Sequence, residues 1–175
     1  GIRILRNLID QGEGAPIMGI LMEDNGHGGF LASEIVDNLI LTGNGQGIAA
    51  TQFNGRITGN RMMQTEGTAK QGPSILLRAG VGPDKTKLWG EAIVEGNKVH
   101  DVYGTLAKKS AGGRFGGNTV LAARPASAPV IAAARRDWLS AYRPKMISST
   151  GGGPYQEAIV IELSPERTVV IRGLA

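Results

Sequence analysis

The chain has 175 residues, a net charge of +4 and 41% hydrophobic residues, which suits one domain able to bury roughly 70% of its unfolded surface. It has no cysteine, so disulfides, thiolate metal sites and a cysteine nucleophile are excluded. No apolar run approaches the roughly 20 residues of a membrane-spanning helix.

Glycine is abundant, at 27 residues, and aromatics make up only 5%. Glycine builds turns and close backbone contacts rather than cores, so many short strands joined by tight loops are expected. The charge is uneven. Residues 98–145 hold nine Lys/Arg against two acids, and the remainder holds ten against thirteen. Such asymmetry suits an anionic partner, an ordered contact between like subunits, or a solvated face. The opening Gly1-Ile2-Arg3 has no Met and no apolar leader, as in a processed product or part of a longer chain.

Ile2 to Ile9 carries apolar residues at a spacing that fits either a short helix or an extended arm, so residues 1–15 are read as an arm on a single domain. Pro16 to Met22 reads as a strand, followed by a polar loop at 23–29. Phe30 to Leu41 fits a helix opened at Ser33-Glu34, with Leu31, Ile35 and Leu39 spaced by four, or strands around an Asp37-Asn38 turn within Ile35 to Leu41, and the strands are favoured. Ile48 to Thr58, broken at Asn54-Gly55, reads as a hairpin, because Asn-Gly supplies positive φ cheaply. Ser74 to Val81 reads as a strand. Leu88 to Leu106 reads as a second hairpin around Gly96-Asn97, with Trp89 and Tyr103 covering Gly104 and Gly90 across the ribbon. Residues 108–118 read as a basic, glycine-rich loop, and Thr119 to Ala123 as a short strand.

Ser127 to Tyr142 reads as the one helix. Ser127 can cap it, Pro129 suits its first turn, and Ile131, Ala134, Trp138, Ala141 and Tyr142 form an apolar stripe. Ala158 to Ile171 reads as a third hairpin, with Pro165 at a favoured turn position. No long repeat is evident. The expected fold is mainly β or α+β: antiparallel hairpins forming a small barrel or sandwich, with one packed amphipathic helix near 127–142.

The chemistry-bearing residues are few. His27 with Glu23 and Asp24 offers metal-capable side chains, but the spacing fits no calcium or His-x-x-x-His pattern and reads as a polar turn. His100 and Asp101 alternate to opposite faces of a strand and do not form a catalytic pair. Gly43-x-Gly45-x-Gly47 lacks the following helix of a dinucleotide loop, and residues 112–118 lack the Lys-Ser/Thr ending of a phosphate loop. No catalytic residue, metal ligand or cofactor is assigned.

A polyanion or single-stranded nucleic acid could meet Lys108, Lys109, Arg114, Phe115, Arg135 and Arg136, where one aromatic lies among basic residues. The favoured reading is a non-enzymatic structural or assembly subunit. It would belong to a homo-oligomeric complex in a virion or cell envelope rather than the cytoplasm, and its partners would be copies of itself and other assembly subunits. The alternatives are a polyanion-binding β module using residues 98–145 and a hydrolase-type enzyme with a site assembled from loops.

Overall fold

Five segments share one pattern: an inward apolar residue, one more residue, a left-handed residue, asparagine, one more residue, and a second inward apolar residue. They are Ile4-Leu5-Arg6-Asn7-Leu8-Ile9, Ile35-Val36-Asp37-Asn38-Leu39-Ile40, Ile57-Thr58-Gly59-Asn60-Arg61-Met62, Val94-Glu95-Gly96-Asn97-Lys98-Val99 and Phe115-Gly116-Gly117-Asn118-Thr119-Val120. The residue before each asparagine has positive φ, from 54° at Arg6 to 67° at Gly59. Glycine takes this conformation at no steric cost, and aspartate tolerates it better than most residues. The single left-handed residue swings the chain out of one sheet into another instead of back along the same sheet.

The computed structural model describes residues 1–10, 19–23, 30–42, 46–65, 73–101, 107–108, 113–142, 145–149, 158–164 and 167–172. They fall into two compact units, residues 1–134 and 135–175.

In the first unit each asparagine marks one coil. The first coil holds β1 (Arg3–Leu5), β2 (Leu8–Asp10) and β3 (Ile20–Met22). The second holds β4 (Phe30–Val36), β5 (Leu39–Thr42) and β6 (Ile48–Thr51), and the third β7 (Phe53–Thr58), β8 (Arg61–Gln64) and β9 (Ile75–Arg78). A short antiparallel ribbon, β10 (Gly80–Val81) with β11 (Lys87–Leu88), then leaves the coil. The fourth coil holds β12 (Ala92–Glu95), β13 (Lys98–His100) and β14 (Ala107–Lys108), and the fifth β15 (Arg114–Gly116) and β16 (Thr119–Ala122).

Strands at equivalent places pair in parallel. Sheet A runs β1-β4-β7-β12-β15, sheet B β2-β5-β8-β13-β16, and sheet C β3-β6-β9-β14. This is a parallel β-helix, in which every coil rests on its sequence neighbours.

The interior is built from aligned rows. Ile4, Ile35, Ile57, Val94 and Phe115 stack along sheet A. Ile9, Ile40, Met62, Val99 and Val120 stack along sheet B. Ile20, Ile48 and Ile75 stack along sheet C. The members from the middle coils are fully buried and form one continuous core. Each such side chain contributes about 1.5–3 kcal/mol. On the outer face of sheet B, Leu39, Leu41 and Met63 are also buried, whereas Lys98 is exposed.

Backbones approach closely where the chain enters sheet A. A Cβ on Gly55 would collide with the Ser33 carbonyl oxygen, and one on Gly90 with that of Phe53.

The antiparallel barrel or sandwich expected from the sequence is overturned for this unit, where the main sheets are parallel and no barrel closes. The reason lies in the backbone. The strands on either side of Gly96-Asn97, β12 and β13, do not pair with each other: they lie in sheets A and B and pair in parallel with other coils. At Asn54-Gly55 only Gly55 has positive φ, and both residues lie inside β7. β6 and β7 belong to different sheets, separated by a corner at Gln52, whose φ is 48°. Tyr103 and Gly104, expected to pair with Gly90 and Trp89 across a ribbon, lie outside the described residues. Gly90 admits the backbone of Phe53. Residues 3–10 are two strands of the first coil, and residues 114–116 of the basic loop form β15.

The helix expected at 127–142 is present as α1 (Ala128–Tyr142). The amide of Ile131 donates to the Ser127 carbonyl. Among the stripe residues Ala134 is buried, Ile131, Trp138 and Tyr142 are half-buried, and Ala141 is exposed. Just before α1, Ala126 bridges Thr65 in parallel, and its amide donates to the Gln64 carbonyl at 2.7 Å.

In the second unit, β17 (Lys145–Ser149), β18 (Ala158–Ser164) and β19 (Arg167–Arg172) form an antiparallel sheet. The β18–β19 pair is the hairpin read at 158–171.

Candidate functional site

The corner asparagines form a ladder along the first unit. The amide and the Nδ2 of Asn7 both donate to Asn38 Oδ1, at 2.8 and 3.0 Å. Asn38 donates in the same way to Asn60 Oδ1 at 3.0 and 2.9 Å, and Asn60 to Asn97 Oδ1 at 3.0 Å twice. Asn97 completes the series with Asn118 Oδ1 at 3.0 and 2.9 Å.

The second Nδ2 proton reaches back to the preceding coil. Asn38 donates to the Ile4 carbonyl at 2.9 Å, Asn60 to Ile35 at 2.9 Å, Asn97 to Ile57 at 2.8 Å and Asn118 to Val94 at 2.7 Å. A carboxamide suits this place because it carries one two-lone-pair acceptor and two donors on a single short stem. Asn38, Asn60 and Asn97 are buried, so these bonds remove the cost of desolvating each corner.

The ladder has a direction. At the first coil, Asn7 Oδ1 accepts nothing among the described residues. At the fifth coil, the Asn118 amide and one Nδ2 proton have no asparagine below them among the described residues. The apolar rows end in the same way. Ile4 and Ile9 at one end, and Phe115 and Val120 at the other, are only partly buried against the core. The edges of β1 and β15, like those of β2 and β16, pair on one side only among the described residues.

A second feature lies on the outer face of sheet B. Register places Lys98 beside Arg61 on adjacent coils, and His100 follows on the same face. His100 Nδ1 is buried without a hydrogen-bond partner among the described residues. Burial, and then the charges of Arg61 and Arg124, hold the His100 imidazole below its usual titration range. Positive neighbours do not make this histidine a better base, and its neighbour Asp101 is buried on the opposite side of the strand, accepting the Ser74 amide at 2.7 Å.

A third feature is the β10–β11 ribbon, where Val81, Leu88 and Trp89 expose apolar surface.

The residues singled out from the sequence are spread over several elements. Arg114 lies on the outer face of sheet A and pairs with Glu95 at 3.3 Å, while Phe115, beside it, points inward beneath Val94. Lys108 is in β14 of sheet C, and Arg135 and Arg136 are exposed on α1. Lys109, Asp24 and His27 lie outside the described residues. Glu23 meets Arg78 at 3.5 Å. Among the described residues no group of three or more His, Asp or Glu could hold a metal ion, and no helix is long and apolar enough to cross a membrane.

The asparagine ladder was missed in the sequence. Its signal was present as a five-fold recurrence of apolar-x-x-Asn-x-apolar, hidden by spacings that vary from 21 to 37 residues. No family model matches this chain, and no curated protein or solved structure matches it.

Proposed function

We propose that this chain is a non-enzymatic structural subunit that serves in a larger homo-oligomeric assembly such as a virion or cell-envelope complex. The observation that carries this reading is the pair of open coil ends, where apolar rows, strand edges and ladder groups stop without partners among the described residues. Unpaired strand edges are ready templates for another chain. The buried polar side chains of the corners are spent on one another, which supports a framework role rather than chemistry.

Sedimentation velocity and light scattering test it. The expected result is a mass above the monomer that grows with concentration. A monomer at every concentration overturns the reading.

A second reading has its own observation, the Arg61, Lys98 and Arg124 charges around His100 on sheet B. These would meet a polyanion with an affinity that falls steeply with salt. Heparin binding measured at two salt concentrations tests it. Retention no stronger than that of a neutral protein overturns it.

A further inference from the structure

We infer that two copies of this chain stack head to tail, the fifth coil of one seated on the first coil of the next, so that the asparagine ladder and the sheet A and B rows run on through the junction. This rests on the assembly reading above and states its geometry.

The two ends are complementary in their hydrogen bonding. The fifth coil ends in donors, the Asn118 amide and one Nδ2 proton, and the first coil begins with an acceptor, Asn7 Oδ1. Within the chain this same pair of groups forms every rung, at 2.8–3.0 Å. The reverse bond is also available. Each ladder asparagine after the first donates to the carbonyl of the inward apolar residue one coil earlier. Asn7, with no earlier coil, donates to its own Leu5 carbonyl at 3.0 Å. At the junction the partner's Asn7 gains the Phe115 carbonyl as the equivalent acceptor.

The apolar rows match too. Phe115 meets the partner's Ile4, and Val120 meets the partner's Ile9, closing over the four core residues that are only partly buried in one copy. The opposite arrangement, first coil against first coil, sets acceptor against acceptor and leaves both Oδ1 atoms unsatisfied.

The contact is heterologous and does not close on itself, so it grows into open rods rather than stopping at a dimer. The junction is a single coil face on a single coil face, so the association is sought from micromolar towards millimolar protein. Arg3 and Arg114 fall beside each other at the junction, each beside its own carboxylate, Glu34 at 2.6 Å and Glu95 at 3.3 Å. Each arginine is already neutralised locally, so moderate salt changes the association little.

The absence of native cysteine permits a clean test. One full-length chain carries Arg3→Cys, a second, distinguished by a size tag, carries Arg114→Cys, and a short bismaleimide is the probe. Both positions are exposed, so folding is retained. The expected result is a cross-linked species in the mixture at least ten-fold more abundant than in either chain alone, with the unsubstituted chain forming rods in sedimentation velocity. Self-cross-linking of the Arg3→Cys chain, or rods without cross-linking in the mixture, overturns the head-to-tail geometry and leaves assembly standing. Monomers throughout overturn both. Rods that dissolve in moderate salt also overturn this junction, because they point to bridging by charge.

Discussion

At the scale of single residues, the corner asparagines carry more of this fold than their polarity suggests. Asn60 accepts from Asn38 twice and donates to the Ile35 carbonyl and to Asn97 Oδ1, all in a buried setting. Asn60→Ala strands the Asn38 amide and one of its Nδ2 protons, the other staying on the Ile4 carbonyl, and takes the side-chain donor from the Ile35 carbonyl. Each buried unsatisfied group costs about 1–3 kcal/mol, so a loss of about 3–5 kcal/mol is expected in urea denaturation. Asn7→Ala, at the partly exposed end, is expected to cost about 1 kcal/mol in the same measurement. Equal losses at the two sites would show that the ladder does not act through burial.

His100 supplies the pH dependence at this scale. Burial and the nearby Arg61 and Arg124 charges lower its pKa in the folded chain relative to the unfolded one. The unfolded state therefore binds the proton more readily. The His100 contribution is fully present above the unfolded pKa near 6.5 and is lost as pH falls through the lower folded value. The melting temperature is expected to fall as pH drops from 7.5 through this window, and to fall less in His100→Gln. An identical pH profile in the two proteins would remove the effect.

At the scale of elements, a strand here is stabilised by the coils on either side of it rather than by a hairpin partner. Ile57 lies between Ile35 and Val94 in the sheet A row and is fully buried, whereas Ile4 covers the open end of the same row. Truncating a buried isoleucine to alanine costs about 2–5 kcal/mol. Ile57→Ala is expected in that range by chemical denaturation, and Ile4→Ala well below it. The strand regions were legible from apolar runs and turn residues: residues 35–42 do form strands around Asp37-Asn38, and α1 and the β18–β19 hairpin lie where expected. The partner of each strand was not legible. Gly-Asn flanked by alternating residues serves a tight hairpin and a solenoid corner equally well, and the choice is made by bonds to distant coils, here those of Asn97 with Asn60 and Asn118.

At the scale of the whole molecule, the first unit is quasi-one-dimensional, each coil touching its sequence neighbours. Stability in such a stack is a sum over coils and their interfaces, so terminal coils open more readily. Amides of β4, β5, β7, β8, β12 and β13 are expected to exchange more slowly by mass spectrometry than those of β1, β2, β15 and β16. Protection that is uniform across the five coils would mean that the stack opens as one unit. Stacking a second copy on the ends should slow the terminal coils first.

The amino-acid sequence by itself determined the β-rich character, the places of most strands, the place of the helix at 128–142 and the lack of any thiol chemistry. These are local matters, set by side-chain period, by proline and glycine, and by composition. Only the tertiary structure decided that the strands pair in parallel across 21 to 37 residues, and that five scattered asparagines align into one ladder. The corner asparagines recur at unequal intervals, and added chain length between paired strands costs little free energy, so the chain conceals a regular repeat that the backbone restores.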